Sequence, residues 1–211
     1  MTILAVDTSC AIASTALICD GLCRMERTAD SQQRHAETIL PLMEELLTEC
    51  GMRVQDVDAF AVNVGPGSFT GVRIGVSVIN AMAMALDKKI IPVDALRALA
   101  QQGWNEAAPL LAIIDARNGN AYAALYQNGE TLLPPDAVSI ADCMEKLPEG
   151  TVMAGDIAQC EPKRYPTARL VGEAAWLLRE QAVGMAVPMY LRPSQAERMW
   201  AKRQEEKRRE G

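Results

Sequence analysis

This chain carries an echo of itself at long range. Leu4–Val6 is an apolar run that stops at Asp7, and Leu110–Ile114 is another that stops at Asp115. From Asp7 to Gly21 is 14 residues, and from Asp115 to Gly129 is again 14. A shift of 108 lays Ala13 on Ala121, Ala16 on Ala124, Leu17 on Leu125 and Asp20-Gly21 on Asn128-Gly129. Asp-Gly and Asn-Gly between apolar runs are hairpin turns. Strand, acid, strand and turn at equal spacing predict two duplicated α/β lobes, expected at 1–105 and 106–211. With 49% apolar residues and few aromatics, both cores must be built from Ala, Val, Leu, Ile and Met.

The stretch Asn63–Arg73 reads Asn-Val-Gly-Pro-Gly-Ser-Phe-Thr-Gly-Val-Arg. Val57–Val64 ahead of it reads as a strand and Val72–Leu86 behind it as a helix. Between them Gly65, Gly67 and Gly71 free the backbone, Pro66 fixes φ, and Ser68 and Thr70 are available as N-caps. Such a turn makes an anion pocket when its N–H groups converge on one point at a helix N-terminus. It is equally a device that lets a helix pack tightly on a sheet. No Lys stands in the Walker position, so it is not a P-loop. Asp7-Thr8-Ser9 has the same ambiguity: a metal–phosphate facing group, or an Asx-type turn. The candidate nucleotide site is Asp7, Thr8, Ser9, Gly65, Gly67, Ser68 and Thr70. Binding is expected to be weak, because no Lys or Arg in these loops is placed to clamp a triphosphate.

Other classes are excluded more firmly. A net charge of −6 disfavours independent binding of nucleic acid. The single histidine, His35, has no neighbour of its kind, and the six cysteines form no C-x-x-C pair. With no secretory signal in Met1–Thr8, the cysteines are read as reduced and the protein as cytoplasmic, although Cys19 and Cys23 would face each other across a hairpin. The longest apolar run, Ile74–Leu86, is too short to span a bilayer.

His35–Cys50 is an amphipathic helix, bent at Pro41, with Ala36, Ile39, Leu40, Met43, Leu46, Leu47 and Cys50 on one face. His35 itself reads as a capping or surface residue. The helix Val72–Leu86 has almost no polar face, so it lies mid-fold or is partly covered by another chain. The expected dimer surface is His35, Ile39, Met43, Leu46, Arg73, Ile74, Val78 and Met82. Leu170–Val183 reads as a helix in the second lobe. Ser194–Glu197 is a capping box opening a last helix, about 194–210, expected to pack back on the first lobe. The mixed charges of Lys202–Gly211 read as a solvated tail.

Taken together, Ile3-Leu-Ala-Val-Asp-Thr-Ser9, His35-Ala-Glu-Thr-Ile-Leu-Pro41, Gly65–Arg73, Ile114-Asp-Ala-Arg117 and Pro188-Met-Tyr-Leu-Arg192 closely resemble the TsaB (YeaZ) family along essentially the whole chain. The resemblance implies the actin-like, sugar-kinase and Hsp70 fold of two duplicated lobes. It implies a role beside the threonylcarbamoyl transferase TsaD and the ATPase TsaE, in making N6-threonylcarbamoyladenosine at position 37 of tRNAs reading ANN codons. Partners would then be TsaD and a second copy, with tRNA contacted mainly through the complex and no membrane. TsaD, a paralogue, binds its metal through a His-x-x-x-His pair. The matching positions here are Ala95 and Leu99, which cannot ligate. A non-catalytic dimerising subunit is therefore expected, with no tightly bound cofactor and ATP or ADP held only weakly or at the partner interface. The rivals are a stand-alone ATP-hydrolysing protein using Asp7, Thr8, Gly65 and Gly67, and a chaperone-like stabiliser of its paralogue.

Overall fold

The described residues form two sheets, and these share one topology. The computed structural model describes residues 1–30, 34–103 and 107–192. In the first half, β1 (Thr2–Asp7), β2 (Ile12–Cys19), β3 (Leu22–Asp30), β4 (Ala59–Asn63) and β5 (Lys89–Val93) lie in the order β3-β2-β1-β4-β5. The hairpin strands are antiparallel, whereas β4 and β5 run parallel to β1. In the second half, β6 (Leu110–Asp115), β7 (Asn120–Gln127), β8 (Glu130–Ser139) and β9 (Val152–Gly155) lie in the order β8-β7-β6-β9. That is the first pattern without its fifth strand.

The two hairpins turn in the same way. Asp20 and Gly21 have φ of 48° and 85°, and Asn128 and Gly129 have 51° and 79°. Two consecutive left-handed residues suit the right-handed twist of the strands they join. The 108-residue shift is off by one in pairing, because Asp7 faces Ser14 whereas Asp115 faces Ala121. The connection from Asp115 to Ala121 is one residue shorter than that from Asp7 to Ser14. In the first hairpin Cys19 opposes Leu22 and Cys23 opposes Ile18. The two thiols therefore do not face each other, because side chains alternate across a strand.

Helices cover both faces of each sheet. On the first sheet, α1 (His35–Glu49) and α2 (Phe69–Leu86) pack over Leu4, Val6, Leu17, Phe60 and Val62. The opposite face, built from Ile3, Ala5, Ile18, Ala61 and Ile91, is covered by α5 (Ala168–Leu177). A Cβ on Gly172 would run into Ile18 and Ala5, so glycine lets α5 lie flat on the sheet. The expected helix Leu170–Val183 is thus shorter, ends in a 3₁₀ turn at Arg179–Gln181, and belongs by packing to the first lobe. On the second sheet, α3 (Ala95–Ala100) packs against one face and α4 (Ile140–Glu145) against the other. The expected division at 105/106 and the final helix at 194–210 lie outside the described residues.

An extended arm, residues 183–192, returns to the first lobe. Val183 and Ile90 exchange backbone hydrogen bonds of 2.7 and 2.9 Å at the edge strand. Asn80, in an otherwise apolar stretch of α2, grips Ala186 through its amide, donating to the carbonyl at 2.9 Å and accepting from the N–H at 2.8 Å. Met189 N–H donates to Val64 at 2.7 Å, and Arg192 reaches Asn120 of the second lobe at 2.8 Å.

By length and composition α2 would suffice to cross a membrane. Here one flank of it, Gly71, Val72, Gly75, Val76, Ile79 and Ala83, is buried on the first sheet. Ser77, Ala81, Met84 and Ala85 face outward, with Met84 80% exposed.

Candidate functional site

Asp7–Ser9 and Gly65–Thr70 converge as expected, but they bind one another. The Asp7 carboxylate accepts from Ser9 N–H at 2.6 Å and from the Asn63 amide at 3.2 Å. Thr8 Oγ1 donates to the Gly71 carbonyl at 2.7 Å, and Ser68 N–H donates to Ser9 O at 2.8 Å. Gly65 N–H goes to Asn63 Oδ1 at 2.8 Å, and Gly71 N–H to the N-cap Ser68 Oγ at 3.2 Å. An anion pocket needs its amides free, and those of Gly65, Ser68 and Gly71 are already satisfied within the fold.

The glycines have the same explanation. A Cβ on Gly67 would stand 2.7 Å from Ser9 O, one on Gly75 2.5 Å from Thr8 Oγ1, and one on Gly71 would overlap the Thr8 carbonyl. Gly65, at φ +103°, would place a Cβ 2.9 Å from Met189 O of the arm. The turn closes the helix onto the end of β1. The helix accordingly begins at Phe69, earlier than Val72, with Ser68 as its cap and Thr70 in its exposed first turn.

Asp7 is fully buried. Burial pushes its carboxyl above the ordinary range, and the hydrogen bonds from Ser9 and Asn63 pull the other way. The acid is a structural Asx turn under a glycine lid.

What remains open is a cleft of about 520 Å³ between the lobes. Its first wall includes Ser9, Gly67, Ser68, Phe69 and His35, and its second Asp115, Arg117, Tyr122, Asp156 and Tyr165. Of the seven candidate nucleotide residues only Ser9, Gly67 and Ser68 line it; Asp7, Thr8, Gly65 and Thr70 do not. His35 is buried in the wall of this cleft, not on the surface as a helix start would suggest. Asp115 N–H donates to Asp156 at 2.7 Å, and burial, with the charge of Asp115 nearby, holds the Asp156 carboxyl above its usual value. Two carboxylates against one arginine make this wall unfavourable to a triphosphate. Among the described residues no cluster of three or more His, Cys, Asp or Glu could hold a metal ion.

The expected dimer surface divides in two. Ile39, Met43 and Leu46 are core residues, packed with Val72, Val76 and Ile79 against the sheet. With His35 they are inaccessible to a partner, which corrects the expected surface on α1. Ala36 and Leu40, assigned to the inner face, are exposed instead, and Leu42 is buried. On α2, Arg73 is exposed and Ile74, Val78 and Met82 are half-buried. The feature that periodicity missed is the arm: Arg73 Nε donates to Tyr190 Oη at 2.6 Å, and its guanidinium sits 3.8 Å over the Phe69 ring. The string Pro188–Arg192 was the only sequence signal for it.

Paired α/β lobes of one topology, facing each other across a cleft, define a protein of the actin-like, sugar-kinase and Hsp70 fold. A family model described as TsaD, tRNA N6-adenosine threonylcarbamoyltransferase, matches residues 28–192. The chain is 39% identical to the tRNA threonylcarbamoyladenosine biosynthesis protein TsaB of Bacillus subtilis, over 71% of this chain and 67% of that protein. It is 40% identical to the Escherichia coli protein of the same name, over 62% of this chain and only 57% of that one. The solved structure of YeaZ from Pseudomonas aeruginosa superposes with a TM-score of 0.73 at 30% identity, covering 90% of this chain and 99% of that one. The chain belongs to the TsaB (YeaZ) family.

Proposed function

We propose that this chain is a non-catalytic, dimerising subunit of the machinery that places a threonylcarbamoyl group on N6 of adenosine 37 in tRNAs reading ANN codons, acting beside a TsaD paralogue in the cytoplasm. The observation that carries the reading is the position of Ala95 and Leu99. By the family resemblance these positions correspond to the transferase's metal-binding histidines, and here both side chains are fully buried among Leu96, Leu110, Ala112 and Ala154. Catalysis through a metal needs ligands and an open coordination position, and this helix offers neither. The occupied amides of Gly65, Ser68 and Gly71 argue in the same direction against a stand-alone ATPase. ATP or ADP would be held weakly, or at a partner interface with TsaE as third member. Contact with tRNA falls mainly to the complex, given the charge of −6.

The partner surface in this reading is the exposed flank of α2, around Arg73, Ile74, Val78 and Met82, serving both a second copy and the paralogue. Ser77, Ala81 and Ala85 on its crest are small enough for close helix approach. The test is threonylcarbamoyl transfer to tRNA with TsaD and TsaE of the same organism, with and without this chain. Product should depend on the chain, and the chain alone should yield none and hold no stoichiometric zinc or iron. Transfer without TsaD would overturn the proposal. Vigorous ATP hydrolysis by the isolated chain would favour the stand-alone reading. Val78→Arg should give a folded chain that no longer captures TsaD.

A further inference from the structure

We propose that Arg73, locked by Phe69 and by Tyr190 of the arm, is a preformed carboxylate-binding fork that meets Glu37 and Glu44 on α1 of a second copy of this chain. The inference rests on the proposed α2 surface and adds to it an anchor and an orientation.

The geometry begins with Arg73. Its Nε–H is fixed on Tyr190 at 2.6 Å, and one face of the guanidinium lies 3.8 Å over Phe69. The Phe69 and Tyr190 rings are themselves 5.1 Å apart, centroid to centroid. A guanidinium has five N–H donors, and here one is occupied. No carboxylate lies within ion-pair distance of it among the described residues. An exposed arginine ordinarily loses much rotamer freedom when it binds; this one has already lost it, so its remaining N–H fork is presented ready to take a carboxylate bidentately.

Arg73 is an isolated cation on an apolar helix of an acidic protein, with Lys88 and Lys89 beyond the far end. Gripping RNA phosphates takes several clustered cations, so a single protein carboxylate is the better match. The chain supplies one itself. On the outward face of α1, among the described residues, Glu37 has one ion pair, an exposed 3.6 Å contact with Arg34, and Glu44 and Glu45 have none.

Symmetry then selects the arrangement. A two-copy interface is isologous, the same patch on both sides. On α2, Val78 and Met82 lean toward the core shared with α1, whereas Phe69, Arg73 and Asn80 lean toward the arm, so α2 lies between α1 and the arm. If the two-fold axis runs across the helices, α1 lies on its own copy and the glutamates face glutamates. If the axis runs along α2, α1 of one copy crosses the arm of the other and the glutamates face Arg73. Charge favours the second. His35 and Phe69 begin their helices at the same cleft, so the two helices start level. Arg73, one turn into α2, then falls between Glu37 and Glu44.

Sedimentation equilibrium on the full chain, with circular dichroism to confirm folding, is the test. Arg73→Gln should weaken the dimer about 10- to 100-fold. Arg73→Lys, which keeps the charge but loses the fork, should weaken it nearly as much. Tyr190→Phe, which removes only the orienting hydroxyl, should cost about 2- to 5-fold. Arg73→Glu alone should be monomeric, and adding Glu37→Lys with Glu44→Lys should restore pairing. If Val78→Arg breaks the dimer and Arg73→Gln does not, the fork is wrong and the α2 surface stands. If Val78→Arg pairs normally, the surface itself is wrong. A wild-type chain that stays monomeric, or an Arg73→Glu chain that the lysine pair fails to rescue, would overturn the assignment to a second copy.

Discussion

The two lobes contain one local device in opposite surroundings. Asp7 Oδ1 accepts from Ser9 N–H at 2.6 Å, and Asp115 Oδ1 accepts from Arg117 N–H at 2.7 Å, both two residues ahead. In the first lobe the glycine turn and Asn63 close over the acid and bury it completely. In the second lobe the acid faces the cleft, with Asp156 beside it. Duplication preserved the turn, and the cover decided whether it became core or surface. The Gly-rich string that reads as a ligand loop is, in this lobe, the cover.

Substitutions in the two lobes would sharpen that contrast. The largest effect should come at Gly71, where a Cβ meets the Thr8 carbonyl and neither backbone can give way. Gly71→Ala is expected to cost about 3 kcal/mol or more of stability. Gly119 in the second turn has φ +73° and open space around it, so Gly119→Ala should cost only about 1 kcal/mol from strain. Thermal melts of both variants measure the difference, and equal losses would contradict the closed-lid picture.

A smaller effect is expected at Thr8. Its buried hydroxyl ties β1 to α2 through the Gly71 carbonyl, and Thr8→Val should cost about 1–2 kcal/mol. Shifted by 108, the second lobe has Ala116 there, with nothing to tie; Ala116→Ser should stay within about 0.5 kcal/mol. Denaturant midpoints at fixed slope compare them.

The smallest effect is a pH slope. Burial raises the folded Asp7 carboxyl above its ordinary 3.8, so the folded state holds its proton more tightly than the unfolded chain. Its contribution is present in full below that value and declines as pH rises through the raised folded value. Asp7→Asn should flatten this decline in urea midpoints taken from pH 4 upward. Asp156→Asn should do so less, because that carboxyl is only half-buried. A slope unchanged by Asp7→Asn would show the carboxyl to be better solvated than its position indicates.

The hairpin turns were legible because each depends on residues near one another in sequence, and the duplicated fold because that local pattern occurs twice. The inner face of α1 was harder. Ala36 and Leu40 keep helical spacing with Ile39 and Met43, yet the sheet meets only the flank that includes Leu42. Periodicity finds a stripe without saying which edge of a wide stripe touches the sheet. The glycine turn read equally as an anion pocket or a packing turn, because free and occupied amides look alike in sequence. Of their partners, Asn63 and Ser68 are local, and only Ser9 comes from a distant part of the chain. The arm has no periodicity at all, being held by backbone groups and a few long-range side-chain contacts, so only the string Pro188–Arg192 hinted at it.

The arrangement of α5 has a consequence for synthesis. Ile3, Ala5, Ile18, Ala61 and Ile91 form a sheet face that this helix covers. A ribosome that has finished β5 must still add about 75 residues before Ala168 appears. At about 5–20 residues per second that takes several seconds. Throughout that interval the nascent first lobe carries an apolar wall turned to water, and a truncation before residue 168 leaves it there permanently. Such fragments should be chaperone clients and aggregate, even though every strand of their sheet is present.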